Sequence, residues 1–283
     1  MTPRELIRQT AARLRNAGIP DPENDSALLL ASLCGCAPLA LRLDTDTILD
    51  PPLLSDYEQM VRRRLERVPL QYILGEAPFC GRMFLVDARV LIPRPETEML
   101  CHWALEIMEG YREPRVLDLC CGSGCIGLSL KSSRPDITVT LSDLSADALE
   151  VAGKNRERLN LSAVLHRGDL LNGYAPSAFD LIVCNPPYIP TADCETLQPE
   201  VRFEPRTALD GGADGLDFYR RLIASAVTVL APGGALMLEL GIYEADPVAG
   251  LLRDSGYTGI ERRKDFNGIE RMILAFRPDG GKA

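Results

Sequence analysis

From about residue 114 onward the sequence alternates short apolar runs with amphipathic ones, and this constrains the fold more than any other feature. "RVLDLC", "ITVTLSD", "AVLHRGD", "FDLIVCN", "GALMLEL" and "RMILAFRP" read as strands. Between them "CIGLSLKSS", "SADALEVAGKNRERL", "GLDFYRRLIASAVTVL" and "DPVAGLLRDSG" read as helices. Strands that alternate with helices predict a mainly parallel sheet covered on both faces, an α/β domain. The first 75 residues differ and predict short helices. Thr2-Pro3-Arg4-Glu5 has the form of a capping box with proline in the first turn. Asp21-Pro22 starts a second helix that Gly35 ends, and Ser55 is expected to cap a third running toward Arg67. "PFCGRMFLVDARVLIP" alternates like a small hairpin, and Pro93 to Glu98 opens a helix. The expected organisation is a helical domain over 1–75, a hairpin-and-helix linker over 76–113 and the α/β domain over 114–283.

Composition narrows the function classes. A net charge of −9 argues against broad nucleic-acid binding, which leaves a basic footprint. Arg62, Arg63, Arg64 and Arg67 do cluster, but with Glu58 and Glu66 among them they are expected to form a solvated helix face. Nine cysteines and two histidines fit no zinc spacing, so no metal site is expected. The cysteines read as small hydrophobes in a reducing compartment. The N-terminus lacks an apolar signal core, and no membrane span is expected, so the chain is placed in the cytoplasm.

Chemistry first shows in "LDLCCGSGCIG". Gly122, Gly124 and Gly127 form a G-x-G-x-x-G between a strand and a helix, where glycine lets the backbone turn sharply and approach a ligand. The helix start beyond offers free N–H groups to an anion. Asp143 ends the next strand about 20 residues on, where a carboxylate meets ribose hydroxyls. Together they point to an adenosine-containing cofactor, with NAD and S-adenosylmethionine both open. Asp118, at the loop's entry, favours the second: it would repel a pyrophosphate and suit an ammonium or sulfonium. Asp169, ending the third strand, could accept from an adenine amino group or cap a turn.

The strand "FDLIVC" then stops at Asn185-Pro186-Pro187-Tyr188. Proline has no N–H, so Pro186 and Pro187 leave only carbonyls facing a site at the strand's end. They also hold Asn185 extended, and its side chain adds another acceptor. A rigid set of acceptors beside an aromatic ring suits a planar –NH2 group. Its hydrogens would go to the Asn185 side-chain oxygen and the Pro186 carbonyl, with the Tyr188 ring on the flat face.

These segments resemble the release factor glutamine methyltransferase family over nearly the whole chain. The resemblance rests on "PLQYILGEAPFCGRMF", "VLIPRPETE", "VLDLCCGSGCIGLSL", "FDLIVCNPPYIP" and "EVRFEPRTALDGGADGLDFY", in that order. N-P-P-Y alone is less specific, because methyltransferases acting on adenine or guanine amino groups also use it. The resemblance implies a Rossmann-like class I methyltransferase domain with a mostly parallel seven-stranded sheet, S-adenosylmethionine as cofactor, and a small N-terminal helical domain that helps bind the substrate protein. It implies methylation of the glutamine side-chain amide in the Gly-Gly-Gln motif of class-one peptide release factors, by an enzyme expected to act as a monomer without direct nucleic-acid or membrane contacts. By position, the cofactor residues would be Cys120, Cys121, Gly122, Ser123 and Gly124 in the loop, Asp143 with Leu144, Asp169 with Leu170, and Asn185. Asn185, Pro186, Pro187 and Tyr188 would form the glutamine pocket, with Asn185, Pro186 and Tyr188 catalytic. The family usually has glycine at position 120 and often an aromatic at 170, so Cys120 must tolerate that backbone geometry and Leu170 would stack less strongly.

Overall fold

The computed structural model describes residues 1–278. The chain divides into two compact units, one of Met1–Glu76 with Gln198–Phe203, the other of Ala77–Leu197 with the residues from Glu204 onward. Among the described residues no helix is long and apolar enough to cross a membrane.

The first unit is helical: α1 (Pro3–Asn16), α2 (Pro22–Cys34), α3 (Pro38–Leu43), α4 (Pro51–Leu65) and α5 (Leu70–Leu74). The capping box forms, with Glu5 N–H donating to Thr2 and Thr2 N–H donating to the Glu5 carboxylate. Gly35 ends α2 in the left-handed region at φ 63°. The cap of α4 is Asp50, whose carboxylate accepts from Leu53 N–H at 3.1 Å. Ser55 lies inside that helix, because Pro51 and Pro52 already suit its first turn. Ile7, Leu29, Leu30, Tyr57 and Val61 form the core. The arginine cluster is not a purely solvated face. Arg64 is 4% exposed, donating to Asp25 at 2.7 Å and to Glu200 at 3.0 Å. Arg67 donates to the other oxygen of Glu200 at 2.8 Å. Charge counting along the helix missed this, because Glu200 comes from the distant segment 198–203.

The second unit opens with a hairpin, β1 (Glu76–Phe79) and β2 (Arg82–Leu85), then α6 (Pro95–Met108). These pieces are built into the unit: Phe79, Phe84, Leu100 and Trp103 share one buried cluster with Val116, Leu141 and Val183 of the sheet. The remainder runs β3 (Arg115–Leu119), α7 (Cys125–Ser133), β4 (Thr138–Asp143), α8 (Ala146–Arg158), β5 (Val164–Arg167), β6 (Phe179–Cys184), α9 (Asp217–Val229), β7 (Leu230–Glu239), α10 (Ala245–Asp254), β8 (Thr258–Lys264) and β9 (Glu270–Phe276). The seven strands lie in the order β5-β4-β3-β6-β7-β9-β8. Five are parallel, and β9 runs antiparallel to both β7 and β8. The edge strand β8 escapes the sequence pattern because "TGIERRK" is polar and largely exposed. The parallel strands bring Cys120, Asp143, Asn185 and Glu239 to one edge of the sheet, the edge where ligands of such domains sit.

Candidate active site

The loop after β3 turns on three left-handed residues: Cys120 (φ 56°), Gly122 (φ 51°) and Gly124 (φ 76°). Cys121 N–H donates to the Ser142 carbonyl at 3.0 Å, and the Asn155 side chain donates to the Ser123 carbonyl at 2.9 Å. Cys121 and Ser123 are thereby turned inward and buried. A Cβ on Gly124 would stand 3.1 Å from Leu141 and 3.3 Å from Ala152, so that glycine serves packing. Gly122 differs, since a Cβ there would meet nothing within 4 Å.

Gly122 and Cys120 line a cleft of about 610 Å³ with Asp143, Leu144, Asp169, Leu170, Asn185 and Pro187. Leu119, Ala148 and Phe218 add apolar wall, and Arg89 and Arg206 add charge. Asp143 accepts from Gly122 N–H and from Ser145 N–H, both at 2.9 Å, one on each oxygen. Burial raises its carboxyl above the ordinary value in spite of these bonds. Asp169 accepts from Arg221 at 2.6 Å. Leu170 is buried at φ 51°.

Six of the sequence-selected residues do not line the cleft: Asp118, Cys121, Ser123, Gly124, Pro186 and Tyr188. Asp118 is fully buried under the loop, one oxygen accepting from Gly127 N–H at 2.7 Å and the other without a partner. Desolvation raises its carboxyl well above the usual range. A bonded N–H of α7 is what it meets, in place of the free cationic ligand group expected from the sequence. The Tyr188 ring packs against the buried cluster around Tyr219 and Leu240. Its hydroxyl accepts from Arg271 at 2.9 Å and reaches Glu239 at 3.3 Å, which draws the phenol away from a free ring face.

The sequence reading missed the groups behind Asn185. The Asn185 side-chain N–H donates to the Thr97 hydroxyl at 3.4 Å, and Thr97 donates to Glu239 at 2.6 Å. Thr97 and Glu239 are both buried. Burial pushes the Glu239 carboxyl up to about 7, against the opposing pull of Thr97 and Arg271. Glu204 was missed as well: it is buried, accepting from Ile92 N–H at 3.1 Å and Arg94 at 2.5 Å. It thus ties the stretch after Val90 to the segment from Pro205 to Ala208, and both line the cleft. The only signal for Thr97 and Glu204 was a threonine and a charge inside the proline-rich segments "VLIPRPETE" and "FEPRT", and for Glu239 a lone carboxylate in the apolar run "GALMLEL".

A seven-stranded sheet of this order, with a glycine loop and an acidic residue at the ends of adjacent strands, defines a Rossmann-like class I methyltransferase. Two solved structures share the fold. The catalytic domain of hMettl16, in complex with an RNA hairpin, has a TM-score of 0.57 at 18% identity, over 71% of this chain and 77% of that one. A T. thermophilus 16S rRNA methyltransferase in complex with S-adenosylmethionine and guanosine has a TM-score of 0.50 at 20% identity, over 71% of this chain and 49% of that one. Residues 5–75 match the PrmC N-terminal domain, and residues 100–198 match the methyltransferase small domain. The release factor glutamine methyltransferase of Deinococcus radiodurans is 44% identical over 98% of this chain and 99% of its own length. That of Geobacter sulfurreducens is 42% identical over 96% and 95%. The chain belongs to the release factor glutamine methyltransferase family.

Proposed function

We propose that this enzyme methylates the side-chain amide nitrogen of the glutamine in the Gly-Gly-Gln motif of class-one peptide release factors. S-adenosylmethionine supplies the electrophilic methyl group. The cleft residues fit that cofactor. In this reading Asp143 would take the ribose hydroxyls, the space beside Gly122 would admit a close ligand, and Leu144, Ala148, Leu170 and Phe218 would offer apolar surface to an adenine; their shared lining of one cleft supports it. Asp169 stands beside them, its carboxylate shared with Arg221.

The observation that carries the reading is the orientation of Asn185. One of its two amide hydrogens goes to Thr97, which holds the –NH2 end toward that hydroxyl and leaves the carbonyl as the acceptor for a substrate –NH2 in the cleft. Pro186 is buried and does not line the cleft, so in this reading the Asn185 carbonyl is the principal acceptor. An amide nitrogen is a weak nucleophile, and a hydrogen bond adds only about 1 kcal/mol. Holding it in line with the methyl supplies roughly 7–11 kcal/mol, so positioning dominates and no strong base is needed beforehand. Tyr188 contributes by securing the wall behind Asn185.

We place the enzyme in the cytoplasm as a monomer, a setting that suits nine unpaired cysteines. The test is incubation with labelled cofactor and a purified class-one release factor, followed by peptide mass mapping. Label on the glutamine of Gly-Gly-Gln is expected. Label on RNA or DNA instead would overturn the reading in favour of an adenine or guanine amino-methyltransferase.

A further inference from the structure

A buried polar chain runs behind the cleft wall, and its ends fix its direction. Arg271 can only donate, and it donates to the Tyr188 hydroxyl at 2.9 Å. Tyr188 is therefore free to turn its own proton to Glu239 Oε1 at 3.3 Å. From the other side Thr97 donates to Glu239 Oε2 at 2.6 Å, the length of a hydroxyl bonded to a charged carboxylate. A threonine hydroxyl has one proton. With that proton committed to Glu239, its oxygen can only accept from Asn185, and what it accepts is the Nδ2 hydrogen. Seen by shape alone, an asparagine amide could sit either way round.

We propose that Thr97 and Glu239 are positioning residues that hold the Asn185 side chain with its carbonyl toward the substrate amide. The proposal rests on the reading of Asn185 as the acceptor for a glutamine –NH2. Thr97 sits on the first turn of α6 and Glu239 at the end of β7, so each is held by a regular element rather than a loop. Neither lines the cleft, which sets them apart from the groups that would touch substrate.

The arrangement works only while Glu239 is ionised. A protonated Glu239 can donate to Thr97, which then donates to Asn185 and turns the amide over, presenting –NH2 to –NH2. The groups facing Glu239 are Glu96 beside Thr97 on α6, Arg271 on β9 at 3.6 Å, Tyr188 after β6, and Tyr219 on α9, which donates to the Glu239 backbone carbonyl; Glu244, before α10, lies next to Tyr219. Burial is the largest influence and brings the Glu239 titration to about 7, so ionisation is lost as pH falls through neutrality.

The test compares wild type with Thr97→Val, Thr97→Ser and Glu239→Gln, all first shown to melt cooperatively. In the free protein, the Asn185 side-chain amide resonance is followed from pH 5.5 to 8.5. It is expected to titrate in wild type and Thr97→Ser, and to be flat in Thr97→Val and Glu239→Gln. With release factor as substrate, Thr97→Val should lose about tenfold or more in kcat, the order of one misplaced hydrogen bond, with the KM for cofactor little changed. Thr97→Ser should recover turnover to within about threefold of wild type, because it keeps the hydroxyl. A wild-type amide that ignores pH, or a Thr97→Val enzyme with wild-type kcat, overturns the proposal. An inactive wild-type protein would instead count against the substrate reading, and the amide titration would still decide the relay.

Discussion

Gly127→Ala separates two opposed effects at the start of α7. In an exposed helix this exchange gains about 1 kcal/mol, because alanine is the better helix former. Here a Cβ would lie 2.5 Å from Leu141 Cδ2, 2.9 Å from Asp118 Cβ and 3.0 Å from Asp118 Oδ2. Carbon atoms in contact prefer about 3.5–4.0 Å, so the helix must lift off β3 and β4. Both neighbours are fully buried with nowhere to move, and such overpacking costs about 1–3 kcal/mol. Lifting the helix also stretches the 2.7 Å bond from Gly127 N–H to Asp118. A hydrogen bond contributes about 0.5–1.5 kcal/mol, and the other Asp118 oxygen already has no partner. The net expectation is a loss of about 1–3 kcal/mol, with packing outweighing propensity. Denaturant unfolding followed by fluorescence and by circular dichroism measures it. A Gly127→Ala protein as stable as wild type would refute the reasoning. Gly122→Ala is the contrast: nothing crowds the new methyl, so folding should lose only about 1 kcal/mol from the left-handed backbone. Its larger effect should be on S-adenosylmethionine affinity, read by calorimetry.

Asn185→Ala should lower kcat by roughly 100- to 1,000-fold, the scale of removing one transition-state hydrogen-bonding group, and change cofactor Kd far less; near-normal turnover would contradict its role. Cys120→Gly relieves a left-handed residue costing about 1–2 kcal/mol but loosens the unfolded chain by about 0.5–1 kcal/mol, so stability should stay close to wild type. Cofactor affinity should be equal or better, and a fall would show that the thiol itself contributes. Glu239 has a folded value raised from 4.5 to about 7, so its contribution to stability is present below about pH 4.5 and lost as pH rises through 7. Glu239→Gln should therefore melt above wild type at pH 8, with the gap closing toward pH 5, and be the slower enzyme. Arg64→Met leaves Asp25 buried without its partner and should cost about 3–5 kcal/mol in the helical unit, seen as a lower melting temperature.

Local pattern sufficed for much of this protein. The apolar runs gave six of the sheet's strands, and α7 begins and ends where "CIGLSLKSS" does. The capping box at Thr2 formed because its partners lie three residues apart. Asp143 and Asn185 were found for a similar reason: each ends a strand, and strand ends in a parallel sheet converge. What failed required distance. Thr97 meets Asn185 across 88 residues and Glu239 across 142, so no window along the chain holds all three. Asp118 was chosen by charge at the right place, but a sequence does not reveal which way a strand's last carboxylate points. It is fully buried beneath α7, where it accepts from Gly127 N–H. Tyr188 was read by its ring, and its hydroxyl decided where the ring went.

The segment Gln198–Phe203 has a consequence for how such a protein can change over evolutionary time. The helical unit is completed by six residues encoded far downstream, inside the gene segment for the other unit, and Glu200 among them bonds both Arg64 and Arg67. A recombination or truncation after Glu76 would hand on five helices with Arg67 stripped of its carboxylate and Arg64 left with the Asp25 carboxylate alone. It would also leave the other half carrying a loop shaped for a surface it no longer owns. The two units must therefore be inherited together.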